Sequence, residues 1–214
     1  MELDSETKVQ KIIALLEKEN PDAKIALNYS SPLELLVATI LSARCTDERV
    51  NIVTRTLFKK YRKAEDYTNA NLKELQELIK STGFYRNKTK NIMKCCRIIT
   101  QRFGSKVPNS MKELLELPGV GRKTANVVLS NAFNVNEGIA VDTHVRRVSK
   151  RLRLTQHDDP DKIEKDLMRI VPKTMWKRIT DLLIFHGRRI CVAGKPHCER
   201  CVINRLCPSA FTFD

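Results

Sequence analysis

Apolar residues recur at helical spacing along nearly the whole chain. Val9, Ile12, Ile13 and Leu16 fall at i, i+3, i+4 and i+7, which predicts an amphipathic helix over residues 6–19 that Asn20-Pro21 ends. Ser31-Pro32-Leu33-Glu34 is a capping signal with proline at the first helical position and an acid at the third, and it opens a helix to about Ala43. That segment is apolar on most sides and reads as a central buried helix. Thr46-Asp47 caps a helix over residues 48–62, so residues 42–47 form an interhelical corner. Helices are expected next over 71–80, ending at Thr82-Gly83, and then in a basic segment that Phe84 leads into and that runs to about Phe103. Further helices are predicted over 110–116, on to about Phe133, from Asp142 to about Arg153, over 160–171 and over 174–189. There is no strand alternation and no internal repeat, so the fold class is all-α.

Leu117-Pro118-Gly119-Val120-Gly121-Arg122-Lys123-Thr124-Ala125 interrupts this regularity. Two glycines separated by one residue, directly before an apolar-periodic segment, predict a tight hairpin opening a helix. Such a turn leaves backbone N–H groups at the positive end of the helix dipole, where a phosphate binds without help from side chains. Lys123 is a cation at the wrong end of that dipole and next to Arg122, and both effects favour the neutral, nucleophilic amine. Ala125, Val128, Leu129 and Ala132 form one apolar stripe, whereas Lys123, Asn126, Val127 and Ser130 form a smaller, more polar one that would face a cleft. The alternative for Lys123 is a solvated lysine helping to hold a phosphate. Val141-Asp142-Thr143-His144 follows about twenty residues later, with Asp142 at the start of its helix as a cap, a catalytic carboxylate, or both.

Charge narrows the partner. The 214 residues carry a formal net charge of +14, which points to an anion, and to nucleic acid ahead of a membrane because no basic amphipathic anchor stands out. No apolar run is long enough to span a bilayer, and the acidic start Met1-Glu2-Leu3-Asp4-Ser5-Glu6 lacks the core of a signal peptide. A cytoplasmic, nucleoid-associated protein is therefore expected, and its seven cysteines should be thiols or metal ligands rather than disulfides.

Four of them, Cys191, Cys198, Cys201 and Cys207, form C-x6-C-x2-C-x5-C in a loop with too little apolar content to fold unaided. Either tetrahedral zinc or an iron–sulfur cubane suits four thiolates. Arg188, Arg189, Lys195 and Arg200 crowd cations beside them, to contact phosphates or to balance an anionic cluster. Cys45, Cys95 and Cys96 are most simply buried thiols.

The hairpin motif followed by Val-Asp-Thr-His resembles the endonuclease III family of DNA glycosylases, and the resemblance runs from the first helix through the last cysteine. It implies that Lys123 is a Schiff-base nucleophile and Asp142 its catalytic partner. Gly119, Val120, Gly121, Arg122 and Thr124 would belong to the DNA-holding hairpin. The cysteine spacing is the same as in the family's [4Fe–4S] loop. At the corner where the family reads Ser-Ala-Gln-x-Thr-Asp and its glutamine fills the space left by the extruded base, this chain has Arg44, which can donate to a base edge or phosphate. Phe84 matches the family's intercalating apolar residue; the other reading makes it a core residue under a loop, and Arg44 merely a surface cation.

The expected architecture is a two-domain helix-hairpin-helix glycosylase. A six-helix domain over 25–135 would hold the hairpin, and residues 1–24 with 136–214 would form a cluster domain. Lys123 and Asp142 would stand on opposite walls of the intervening cleft. The implied function is a monomeric bifunctional glycosylase and abasic-site lyase acting on damaged double-stranded DNA. It would excise oxidised pyrimidines such as thymine glycol and nick the strand by β-elimination. The rivals are a mismatch glycosylase on the same fold, against which Lys123 counts, and a non-catalytic damage-binding module.

Overall fold

A computed structural model of the chain describes residues 4–213. Met1, Glu2 and Leu3 of the acidic start lie outside the described residues. Every regular element among them is helical. The chain divides into two compact units, one of residues 26–137 and one in which residues up to Ile25 join those from Gly138 onward.

Helix α1 (Ser5–Glu19) belongs to the second unit and is capped by Asp4, whose side chain accepts from the Thr7 amide. The first unit is built around α2 (Pro32–Leu41). Ser31 caps it by accepting from the Glu34 amide, and every residue from Leu35 to Leu41 is buried. An all-round apolar helix has no solvent face, so its neighbours must surround it. They include α3 (Asp47–Lys60), α6 (Tyr85–Arg102) and α8 (Arg122–Ala132). Between them α4 (Ala64–Thr68) and α5 (Leu72–Ile79) pack on α6, and α7 (Met111–Leu115) packs on α8.

In the second unit α1 packs on α10 (Pro160–Ile170) and α11 (Trp176–Arg189), and α11 crosses α9 (Thr143–Arg151). The crossing is close at Gly187, where a Cβ would stand 3.1 Å from that of His144 and 3.2 Å from Val148 Cγ2. Val9, Ile12, Leu16, Val145, Ile163 and Leu182 are among the fully buried residues of the common core. Arg178 ties the end of α1 to α11 by donating to Glu17 Oε1 at 2.9 Å and to the Ala23 carbonyl at 2.6 Å.

Several boundaries differ from the sequence reading for physical reasons. Helix α2 stops at Leu41, because the chain turns sharply and Arg44 takes up φ +55°. The five-residue α4 is too short to show a helical period. The segment ending at Thr82 finishes as a 3₁₀ turn over Lys80–Thr82, and α11 is likewise preceded by one over Lys173–Met175. Beyond its first turn α8 is not two-faced: Asn126, Val127 and Ser130 are buried together with Ala125, Val128 and Leu129. The polar stripe expected to face a cleft is made of residues small enough to pack.

The hairpin depends on Gly119, which sits at φ +82° with Asn91 of α6 so near that a Cβ would lie 3.0 Å from the asparagine Cβ. Left-handed backbone costs an L-residue roughly 1–2 kcal/mol, and the Asn91 contact adds to it. Gly119→Ala should therefore lower the unfolding free energy by about 2 kcal/mol or more in urea titration. Pairing it with Asn91→Gly, which removes the asparagine Cβ, should return only the steric share relative to Asn91→Gly alone. A neutral Gly119→Ala would contradict this geometry.

Candidate nucleic-acid interface

The turn from Leu117 to Gly121 closes with the Val120 amide donating to the Leu117 carbonyl at 3.1 Å. Gly121 is the N-cap of α8, and no side chain caps that end. The helix therefore begins with its N–H groups turned toward whatever anion approaches, with the dipole assisting. Gly119, Gly121, Arg122 and Lys123 are exposed and Thr124 is half-buried. Val120 is only 7% exposed, so its side chain anchors the turn and leaves the backbone as its contribution to binding. Lys123 projects from the first turn of a helix whose residues 125–130 are all buried, which places a flexible amine on a rigid base.

Asp142, in the other unit, caps α9. Its Oδ1 accepts from the amides of both His144 and Val145 at 2.8 Å, which leaves Oδ2 unspent. Burial, first, depresses the pKa of the neighbouring His144, and the Asp142 charge opposes that only in part. Its Nδ1 lies 3.2 Å from Arg147 Nη2, which also donates to the Gly187 carbonyl at 2.7 Å. The Val-Asp-Thr-His segment is thus pinned to α11 through Arg147.

Arg44 and Phe84 come together although forty residues separate them. Both are exposed, Phe84 by 59%, and the Arg44 guanidinium carbon lies 5.3 Å from the centre of the Phe84 ring. Phe84 is therefore not a core residue. Both backbones are left-handed, at φ +55° and +48°, which is rare for large side chains and is tolerated where surrounding structure enforces it.

The four cysteines singled out by their spacing, Cys191, Cys198, Cys201 and Cys207, line one small pocket, walled by Val148, Leu152, Ile203 and Phe213. None of the seven cysteines is in a disulfide. Among the described residues no group of three or more His, Cys, Asp or Glu stands ready to hold a metal ion. The four thiols share a cavity without such a convergence. Burial pushes the Cys201 thiol up to about 11 and raises Cys207 as well, so ionised sulfurs here need a compensating cation. Arg151 Nη1 donates to Cys191 Sγ at 3.2 Å, and His186 Nε2 lies 3.6 Å from Cys201 Sγ. Buried His186 is itself held down to about 4 by desolvation. Four thiols in one apolar-walled pocket are the kind of donor set that an iron–sulfur centre takes. Arg188 and Lys195 are exposed beside this loop, and Arg188 adds its charge to the field at His144.

Sequence reasoning missed Arg147, Arg151 and His186, and it reads Lys88 with Arg86 and Lys90 as a cation holding the DNA backbone beside Phe84, whereas Lys88 is buried. The signal available was a basic or imidazole side chain set among apolar helical positions, which marks a buried donor.

Comparison with known proteins gives these features a common origin. Residues 37–173 match the model of the HhH-GPD superfamily base excision DNA repair proteins. The chain is 52% identical to endonuclease III of Synechocystis over 199 residues, 93% of this chain and 91% of that one. It is 53% identical to endonuclease III of Bacillus subtilis over 188 residues, 87% and 85% of the two. A trapped covalent endonuclease III–DNA intermediate, in an estranged-adenine complex, superimposes with a TM-score of 0.93 at 45% identity, covering 98% of each chain. An uncapped glycine hairpin with an exposed lysine, a capping aspartate and a four-cysteine pocket thus sit in a chain that belongs to the endonuclease III family of helix-hairpin-helix base excision DNA repair proteins.

Proposed function

We propose that this protein excises oxidised or ring-damaged pyrimidines, thymine glycol among them, from duplex DNA and then cuts the strand by β-elimination. The observation that carries the reading is the match, over 98% of the chain, to an endonuclease III held covalently on DNA, together with a lysine exposed on the uncapped hairpin helix.

The strand enters on the hairpin, whose backbone N–H groups receive phosphate while Arg122 and Thr124 flank the contact. The damaged base must leave the stack before its glycosidic carbon is accessible. Phe84 and Arg44, stacked on each other, occupy the vacated space. Lys123 attacks C1′ as the neutral amine, the C1′–N bond to the base breaks, and the base departs with the electron pair and takes up a proton. The attacking nitrogen then loses a proton, the C1′–O4′ bond breaks, O4′ is protonated, and the opened sugar is joined to Lys123 through a C1′=N bond. The resulting Schiff base acidifies C2′, loss of a C2′ proton expels the 3′ phosphate, and hydrolysis returns the lysine. Asp142 stabilises the positive charge that develops on the sugar and accepts the proton that Lys123 gives up, through the Oδ2 that capping leaves unspent.

Cys191, Cys198, Cys201 and Cys207 would hold a [4Fe–4S] cluster, which supplies a cross-link for a loop that lacks its own core. With all four ligands from protein, the group is structural or DNA-sensing. Arg188 and Lys195 add phosphate contacts beside it. Residues 26–137, which hold the seven helices α2 to α8, one more than the sequence pattern predicts because α4 is so short, would be the hairpin domain and the remainder the cluster domain. The working form is a monomer on damaged double-stranded DNA in the cytoplasm, at the nucleoid, and none of the described helices is long and apolar enough to cross a membrane.

On a duplex with one thymine glycol, wild type should release the base and nick the strand. Lys123→Gln should lose incision by at least about a thousandfold with binding retained, and Asp142→Asn by about a hundredfold or more. Base release by Lys123→Gln at the wild-type rate, with only the nick lost, would favour the mismatch-type mechanism. Purified protein should carry about four irons per chain with the visible absorbance of a cluster. Cys198→Ser should lower both. Stoichiometric zinc without iron would overturn the cofactor assignment.

A further inference from the structure

We infer that Lys88 is a positioning residue for the DNA wedge: its buried ammonium ties the turn carrying Arg44 to the turn carrying Phe84, so the two side chains are stacked before DNA arrives. The inference rests on the wedge role proposed above for that pair.

Lys88 is 4% exposed, unusual for a lysine. Its Nζ donates to the Leu41 carbonyl and to the Thr82 carbonyl, each at 2.7 Å. Leu41 is the last residue of α2, three before Arg44, and Thr82 is two before Phe84. The backbone amide of Lys88 also donates to the Phe84 carbonyl at 3.1 Å, so one residue holds the Phe84 turn at two points and the Arg44 corner at a third. The ammonium lies at the negative end of the α2 dipole, where a cation is favoured. Burial depresses its pKa, as expected for a charge removed from water, yet a lysine buried only for its stem would not need two carbonyls from separate turns.

The tie explains what the local backbone does not. Arg44 and Phe84 both hold left-handed conformations although neither is glycine, with Gly83 at φ +70° easing only the Phe84 turn, and no side chain caps α6 at Phe84. Left alone, each turn would relax and part the guanidinium from the ring. With both carbonyls fixed on one ammonium, the turns have a common reference point, and strain at each is enforced by the other.

The test compares two substrates on the full chain, purified with its cofactor. In one, thymine glycol is paired with adenine in a continuous duplex; in the other, the same lesion sits in a bubble of unpaired bases, where little wedging is needed. Lys88→Met should lose about tenfold or more of kcat/KM on the paired substrate and less than about threefold on the bubble. 2-Aminopurine opposite the lesion should brighten on binding wild type and brighten less with the variant. Lys88→Gln, which keeps amide donors, is measured in the same way and serves if Lys88→Met does not fold. A parallel fall on both substrates, or no fall on either, would overturn the inference and make Lys88 a fold residue only. Arg44→Ala and Phe84→Ala keep the two readings apart. If neither changes the paired-to-bubble ratio, the wedge reading fails and the inference with it. If both change the ratio and the Lys88 variants do not, the positioning role alone is overturned.

Discussion

The open N-terminus of α8 is the constraint on which the hairpin unit depends. A phosphate can be held by backbone N–H groups only if no side chain takes them first and the preceding turn folds out of the way. Both conditions fall on glycines: Gly121 supplies a cap without a side chain, and Gly119 turns at φ +82° against Asn91. Rigidity comes from below. Residues 125–130 of α8 are buried, and the helix packs on α2, which is itself enclosed. Lys123 inherits that rigidity at its Cα and keeps freedom only along its side chain.

The second unit applies the same economy to Asp142, whose one carboxylate oxygen secures a helix while the other stays open. Capping and chemistry are compatible because a carboxylate has two oxygens. Farther along, the cysteine pocket shows the converse problem. Burial favours the neutral thiol at Cys201 and Cys207, so a thiolate at either needs a compensating positive charge, while Arg151 already donates to Cys191 Sγ.

Much of this was legible in the chain because caps and apolar periodicity are local. Ser31-Pro32, Thr46 and the periodic residues of α1 announce helices whose starts are found within a residue of the expected place. The glycine hairpin and the cysteine spacing are similarly local. What escaped were features that require two distant segments to meet. Lys88 looked like one more cation in a basic helix, because the carbonyls that hold it come from Leu41 and Thr82. The stacking of Arg44 on Phe84 depends on the same meeting. On α8, side-chain size outweighed polarity: Asn126 and Ser130 are polar but small enough to be buried.

The central claim is that Lys123 forms a covalent bond to the sugar, and borohydride trapping on a duplex with a single abasic site tests it most directly. A stable protein–DNA adduct with wild type, mapped by peptide mass to Lys123 and absent from Lys123→Gln, is the result this account predicts. An adduct of equal yield in Lys123→Gln, or none with wild type despite tight binding, would contradict it.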